Sequence, residues 1–247
     1  MAMTNTRDKG RRVQLHRALS KLGWGSRTQA WEWIRGGEVR VDGRIVTDPL
    51  TWVDLDRQVI TRGENPAPAV PERVVLALHK PLGVVTTRSD ECGRPTVYDL
   101  LPAGSPWLFP VGRLDADSEG LLILTNDSDL STRLTAPDHA VPKTYHVTVA
   151  GLPNEETLQR LRDGVELSDG PTRPAQVVLL RAGEKKSVLE IVLTEGRNRQ
   201  IRRMGAAVGH KVRRLIRVAV GAVQLGDLAP GAVRVLDDAE RQRLGCE

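Results

Sequence analysis

Between residues 12 and 47 the apolar positions change period twice within a short span. Leu15, Leu19 and Leu22 recur at helical spacing and Gly23 follows, which predicts a short helix closed by that glycine. Ser26-Arg27-Thr28-Gln29 has the form of a capping box, with the serine oxygen taking an orphan amide and the glutamine reaching back to the serine N–H. The helix it opens carries Ala30, Trp33 and Ile34 inward and stops at Gly36-Gly37. Val39-Arg40-Val41 and Arg44-Ile45-Val46 then flank Asp42-Gly43. That pair is a strong two-residue hairpin signal, because glycine accepts a positive φ without steric cost.

Residues 63–72, GENPAPAVPE, hold three prolines and little bulky apolar content, the composition of a semi-rigid spacer. The chain therefore divides into a small unit at 12–62, a linker at 63–72 and a larger unit at 73–247. In the larger unit the pattern predicts strands at 74–78, 121–124, 145–149, 176–180, 188–193 and 217–223. Helices are expected at 130–134, 155–163 and 201–208, with a terminal one at 237–244. Strands with interspersed helices, lacking regular β-α-β alternation, indicate an α+β fold with a mixed, mostly antiparallel sheet.

Charge sharpens this division. The net charge is +5 and the pI near 9.5, a mild excess compatible with a nucleic-acid partner. Residues 1–47 carry ten Lys/Arg against four Asp/Glu, and residues 197–217 carry eight Lys/Arg and no acid, so the positive charge is confined to two places. Arg17, Lys21, Arg27, Arg35, Arg40 and Arg44 stud the small unit, and together they read as a phosphate-contacting surface. Cys92 and Cys246 are far apart, which argues against a zinc site or disulfide framework and fits a reducing cytoplasm. The five histidines do not cluster, so neither a metal site nor a histidine-based triad is indicated. No apolar run approaches the ~20 residues needed to cross a bilayer. The opening MAMTNTRDKGRR lacks the apolar core of a signal peptide and reads as a basic tail.

The candidate chemistry lies in PVGRLDADSEGLLILTND, residues 110–127. Asp115, Asp117 and Glu119 alternate, Arg113 precedes them, and an apolar run follows from Leu121 to Leu124. A carboxylate on a turn, beside an arginine and at the mouth of a buried strand, is placed for chemistry. Arg113 is two residues from Asp115, so on extended backbone the two project to the same side. As a nucleophile or base, Asp115 makes the chain an enzyme. As a turn residue, it leaves only an RNA binder.

Four blocks of the larger unit occur together: HKPLGVVTT (79–87), VGRLDADSEGLLILTND (111–127), KTYHV (143–147) and EGRNRQIRRM (195–204). Together they resemble the pseudouridine synthases, in the ribosomal-RNA branch with an N-terminal RNA-binding domain. Residues 15–46 resemble that small domain, named after ribosomal protein S-four, whose fold is two short helices on a small sheet. The resemblance runs from about Arg12 to about Leu236.

The resemblance implies that a specific uridine of ribosomal RNA is isomerised to pseudouridine without a cofactor. The blend of motifs is closer to the synthases of large-subunit RNA. It assigns the catalytic role to Asp115, by attack or by proton abstraction. Arg113 would fill the space left by the flipped-out uridine, and Tyr145 would stack on its base. Arg202 would pair with the catalytic carboxylate and keep it ionised, Ile201 would line the uracil pocket, and Gly196 would allow close backbone approach. Arg197, Arg199 and Arg203 become further RNA contacts. Lys80-Pro81 reads as structural, and Asp117 and Glu119 as local turn or cap residues. The expected partner is ribosomal RNA, free or within a pre-ribosomal particle, and the expected state a monomer. Two other readings compete. One is a non-catalytic ribosome-assembly factor. The other is a metal-dependent nuclease using Asp115, Asp117 and Glu119.

Overall fold

The computed structural model of the chain describes residues 12–66 and 72–245. The basic tail up to residue 11, the centre of the proline-rich spacer and Cys246 lie outside the described residues. The chain forms two compact units, Met1–Arg73 and Val74–Glu247.

The first unit follows its local signals. Strand β1 (Arg12–Gln14) leads directly into α1 (Leu15–Lys21), and α2 (Arg27–Arg35) follows. Both halves of the capping box are made: Ser26 Oγ accepts from the Gln29 N–H at 3.1 Å, and Gln29 Oε1 accepts from the Ser26 N–H at 3.0 Å. Strands β2 (Val39–Val41) and β3 (Arg44–Ile45) form the hairpin, with Asp42 and Gly43 at φ 49° and 79°. Three further short strands complete the unit: β4 (Trp52–Asp54), β5 (Ile60–Arg62) and β6 (Asn65–Pro66). Their order is β3-β2-β5-β6, with β1 and β4 paired separately. Leu15, Ala18, Leu19, Ala30, Ile34 and Val39 form its buried core.

The second unit is built on one nine-stranded sheet. Its elements begin with β7 (Val75–Lys80), β8 (Phe109–Pro110) and β9 (Glu119–Thr125). After α3 (Ser128–Thr135) come β10 (Lys143–Ala150) and α4 (Glu155–Asp163). A small hairpin, β11 (Glu166–Leu167) and β12 (Gly170–Pro171), precedes β13 (Gln176–Arg181) and β14 (Lys186–Leu193). Helix α5 (Gln200–Ala207), β15 (Val212–Val220), β16 (Val223–Gln224), β17 (Val233–Val235) and α6 (Asp238–Arg243) complete it.

The sheet runs β13-β14-β10-β15-β9-β7-β17, with β16 beside β15 and β8 beside β9. Only β9 and β15 pair in parallel, so the α+β, mostly antiparallel expectation holds. Residues 217–223, expected as one strand, divide between the end of β15 and β16 at a turn through Gly221, φ 54°. Strand β9 is buried at every position because apolar clusters cover both of its faces. It therefore reads as a continuous apolar run rather than an alternating one.

Candidate active site

The loop carrying Asp115 is held from three directions. A hydrogen bond from the Ser118 N–H to the Asp115 carbonyl oxygen, 3.0 Å, closes the turn just before β9. The segment after β7 brackets the aspartate on both sides. The Thr86 hydroxyl donates to the Leu114 carbonyl oxygen at 2.8 Å and accepts from the Leu114 N–H at 3.2 Å. The Gly83 N–H donates to the Ala116 carbonyl oxygen at 2.8 Å. That bracketing segment is itself shaped by Lys80, which is fully buried. Its Nζ donates to the carbonyl oxygens of Pro81 at 2.9 Å and Val84 at 2.7 Å. Burial pushes the Lys80 pKa down to about 8, against the upward pull of Asp115, Asp117 and Glu119.

An arginine–carboxylate network covers the loop. The Arg199 guanidinium grips Asp117 through both nitrogens, Nη1 to Oδ1 at 3.1 Å and Nη2 to Oδ2 at 2.7 Å. The same Nη1 lies 3.5 Å from Asp115 Oδ2. Arg202 Nη2 donates to the Asp117 carbonyl oxygen at 2.6 Å, and its Nε is 3.3 Å from Asp117 Oδ2. The expected pair between Arg202 and Asp115 is thus replaced by two contacts of Arg202 with Asp117, and Arg199 is the arginine at Asp115. Arg199 holds left-handed backbone, φ 49°, at the start of α5. Such strain at a non-glycine residue persists only where its surroundings impose it. The hydrogen bond from Arg199, then the nearby Arg202 charge, hold the Asp117 carboxyl below its usual range despite some burial.

Two further expectations need correction. Asp117 is the centre of this network rather than a simple turn residue. Glu119 is a buried strand residue whose carboxylate accepts from Arg214 Nε at 2.6 Å and Nη2 at 3.2 Å. With Asp117 and Glu119 so engaged, the three acids do not converge. Among the described residues no group of three His, Cys, Asp or Glu is placed to hold a metal ion.

Asp115 opens into a cavity of about 610 Å³. Arg113, Tyr145, Ile201 and Arg199 line it, and so do Lys143 and Arg217, which the sequence reading did not single out. Leu114, between Arg113 and Asp115, is buried, and Arg113 is exposed. Tyr145 is half-buried on β10, and Ile201 is buried on α5 in the core beneath it. A half-exposed carboxylate, an aromatic face, an apolar floor and a ring of arginines can hold a planar polar ring beside a nucleophile or base. Arg202 contacts the loop from outside this lining.

The RNA pseudouridylate synthase family model matches residues 74–207, over half of the chain, and covers Arg113, Asp115, Asp117, Lys143, Tyr145, Arg199, Ile201 and Arg202, while Arg217 lies beyond it. The chain belongs to that family. An S4 domain model matches residues 14–55. The synthase is 37% identical to the ribosomal large subunit pseudouridine synthase B of Bacillus subtilis, over 94% of this chain and 95% of that one. It is 43% identical to an uncharacterized RNA pseudouridine synthase of Mycobacterium tuberculosis, over 93% of this chain and 92% of that one. A solved pseudouridylate synthase structure superposes with a TM-score of 0.68 at 31% identity, covering 94% of this chain and 99% of that one.

The basic residues of the synthase fall into two groups. Arg17, Arg27, Arg35, Arg40 and Arg44 are exposed on the S4 unit and Lys21 is half-buried there. In the catalytic unit, Arg197 and Arg203 are spent inside the chain. Arg203 grips Asp169 through two nitrogens, 2.7 and 3.1 Å. Arg197 donates to the carbonyl oxygens of Gly170 and Pro171, tying the β11–β12 hairpin to the segment before α5. Both guanidinia, expected as RNA contacts, are engaged by partners within the chain. Gly196 lines the cavity, and a Cβ there would meet no protein atom within 4 Å, so packing within the chain does not require a glycine.

Lys80, expected as structural, is the residue that shapes the bracketing segment. The residues missed were Thr86, Lys143 and Arg217. A signal existed for one of them: Arg217 interrupts the apolar alternation of β15. Thr86 carried none, since its partner is 28 residues away. Thr86→Val keeps the side-chain shape and removes both bracketing hydrogen bonds. It is expected to slow single-turnover pseudouridine formation about 10–100-fold with RNA affinity unchanged, and Thr86→Ser to recover most of the rate. A valine variant as fast as wild type would show that the bracket does not position Asp115.

Proposed function

We propose that this synthase converts a specific uridine of large-subunit ribosomal RNA into pseudouridine, with Asp115 acting directly on the flipped-out nucleotide. The observation that carries the reading is the shared cavity, where Asp115, held by Arg199, faces the same space as Tyr145 and Ile201. The name of the Bacillus subtilis relative supports the choice of large-subunit RNA.

The chemistry asks for these side chains. The bond between the ribose C1′ and uracil N1 breaks, the ring turns, and C1′ bonds to C5. The C5 proton leaves and N1 regains a hydrogen, so composition is unchanged and no electron acceptor is needed. Asp115 supplies the pair of electrons that starts this sequence, either to a carbon of the nucleotide or to a sugar proton. Tyr145 stacks on the freed ring and Ile201 packs its edge, which keeps it beside the sugar while it turns. Arg113, exposed at the cavity mouth, fills the gap in the RNA stack. Arg17, Arg27, Arg35, Arg40 and Arg44 hold phosphates of the RNA.

Mapping pseudouridines across ribosomal RNA, in cells with and without this protein, tests the proposal. Loss of one site in the large-subunit RNA, restored by the wild-type gene, is the expected result. An unchanged map, or a lost site in small-subunit RNA, would overturn it.

A further inference from the structure

Among the described residues, two cations that are at least half-buried, Lys143 and Arg217, face the cavity without a counter-ion. Arg217 on β15 is the cross-strand partner of Tyr145 on β10, and Lys143 lies two residues before Tyr145 on the same strand face. All three line the cavity. Arg217 is only 5% exposed. Its Nε donates to the Leu121 carbonyl oxygen at 2.7 Å, while its Nη2 is buried with no hydrogen-bond partner. Lys143 is half-buried, and among the described residues no carboxylate pairs with either cation. The cavity carboxylates are engaged elsewhere: Asp115 lies at Arg199, and Glu195 accepts from Gln200 and from the Arg173 N–H.

This arrangement is unfavourable as it stands. A guanidinium does not shed its proton, and a buried donor without an acceptor forfeits its hydration. Burial, and then the Arg217 charge, push the Lys143 pKa down, so the two cations feel one another. What relieves both is an anion with several acceptor oxygens arriving from the cavity. The oxygens of a uracil ring are neutral and leave the paired positive charge uncompensated. A phosphate offers negative charge and a geometry that a guanidinium matches with two parallel hydrogen bonds.

We propose that Lys143 and Arg217 form a phosphate subsite, which holds the phosphate attached to the uridine that enters the cavity. The inference deepens the reading of Asp115 and Tyr145 as the uridine site and rests on it. The subsite fixes the sugar at its phosphate while the base is released, so the ribose keeps its place as the ring turns. Such anchoring is binding away from the reacting atoms that serves orientation at them.

The test is an NMR titration of the full-length protein with four probes: uridine, uridine 5′-monophosphate, uridine 3′-monophosphate and inorganic phosphate. One of the two nucleotides is expected to bind at least about tenfold more tightly than either uridine or inorganic phosphate. Lys143→Gln and Arg217→Gln are each expected to remove that advantage, so that the nucleotide binds no more tightly than uridine does to the same variant. Arg217→Lys is expected to retain part of it. If Arg217→Gln fails to fold, Lys143→Gln carries the same comparison. Uridine binding as tightly as both nucleotides, inorganic phosphate matching them, or glutamine variants with an undiminished preference would each overturn the subsite. Because the readout is binding, a protein that forms no pseudouridine can still pass this test, and the two readings fail separately.

Discussion

Asp115→Asn is expected to abolish pseudouridine formation, with a loss of roughly 10⁴-fold or more in the single-turnover rate, while RNA binding and fold are retained. The carboxamide has nearly the shape of the carboxylate but is a poor nucleophile and a poor base. The loop does not depend on the Asp115 side chain. Its geometry comes from the Thr86 bracket, the Gly83–Ala116 hydrogen bond and the grip of Arg199 on Asp117, none of which the substitution touches. What is lost structurally is one contact, 3.5 Å from Arg199, between side chains that are each more than a third exposed. Exposed pairs of that kind contribute about 0–1 kcal/mol, so the melting temperature is expected to move little. The measurement is pseudouridine yield on unmodified ribosomal RNA at excess enzyme, with RNA affinity determined in parallel. Wild-type yield from the purified asparagine variant would remove Asp115 from the chemistry. Loss of RNA binding together with yield would show that the residue acts through substrate capture.

The elements that were legible in the sequence are those whose stabilising partners are close in the chain. The capping box at Ser26 and Gln29 and the hairpin turn at Asp42-Gly43 formed as read, because each depends on residues three or fewer positions apart. Helix α4 matches its expected span because Leu158 and Leu161 bury one face. Strands β4, β5 and β17 left no readable pattern, since three residues are too few to show alternation. In the site, the residue types and their blocks were legible, but the ion-pair partners were not. Four arginines fall within residues 197–203, and sequence alone does not show that Arg199 takes left-handed backbone. That conformation sets which guanidinium reaches Asp115. The alternating acids misled for a related reason. Asp115 and Asp117 lie on a turn, but Glu119 already belongs to β9, so the three do not share one geometry.

Gly120→Ala is expected to be the most destabilising single change near the site. Gly120 has φ 109°, and a Cβ built there runs into the Arg217 carbonyl oxygen and lies 2.6 Å from its nitrogen and 2.9 Å from its carbonyl carbon. These are backbone atoms of the neighbouring strand and cannot turn aside as a flexible side chain could. They also belong to the one parallel pairing of the sheet, where Arg217 stands opposite Gly120. Alanine must therefore push β9 from β15, and the backbone strain adds to the steric cost. Together these come to about 3–5 kcal/mol, a fall in melting temperature on the order of 10 °C. Activity should fall with it, because β9 carries the Asp115 loop at its start and β15 carries Arg217. Gly196→Ala is the matched control. It lines the same cavity, but its added Cβ meets nothing within 4 Å, so stability is expected within about 0.5 kcal/mol of wild type. Thermal melts of the two variants decide the point. A Gly120→Ala protein that melts with wild type would mean that β9 and β15 do not approach this closely, and the placement of Arg217 beside the cavity would fall with that contact.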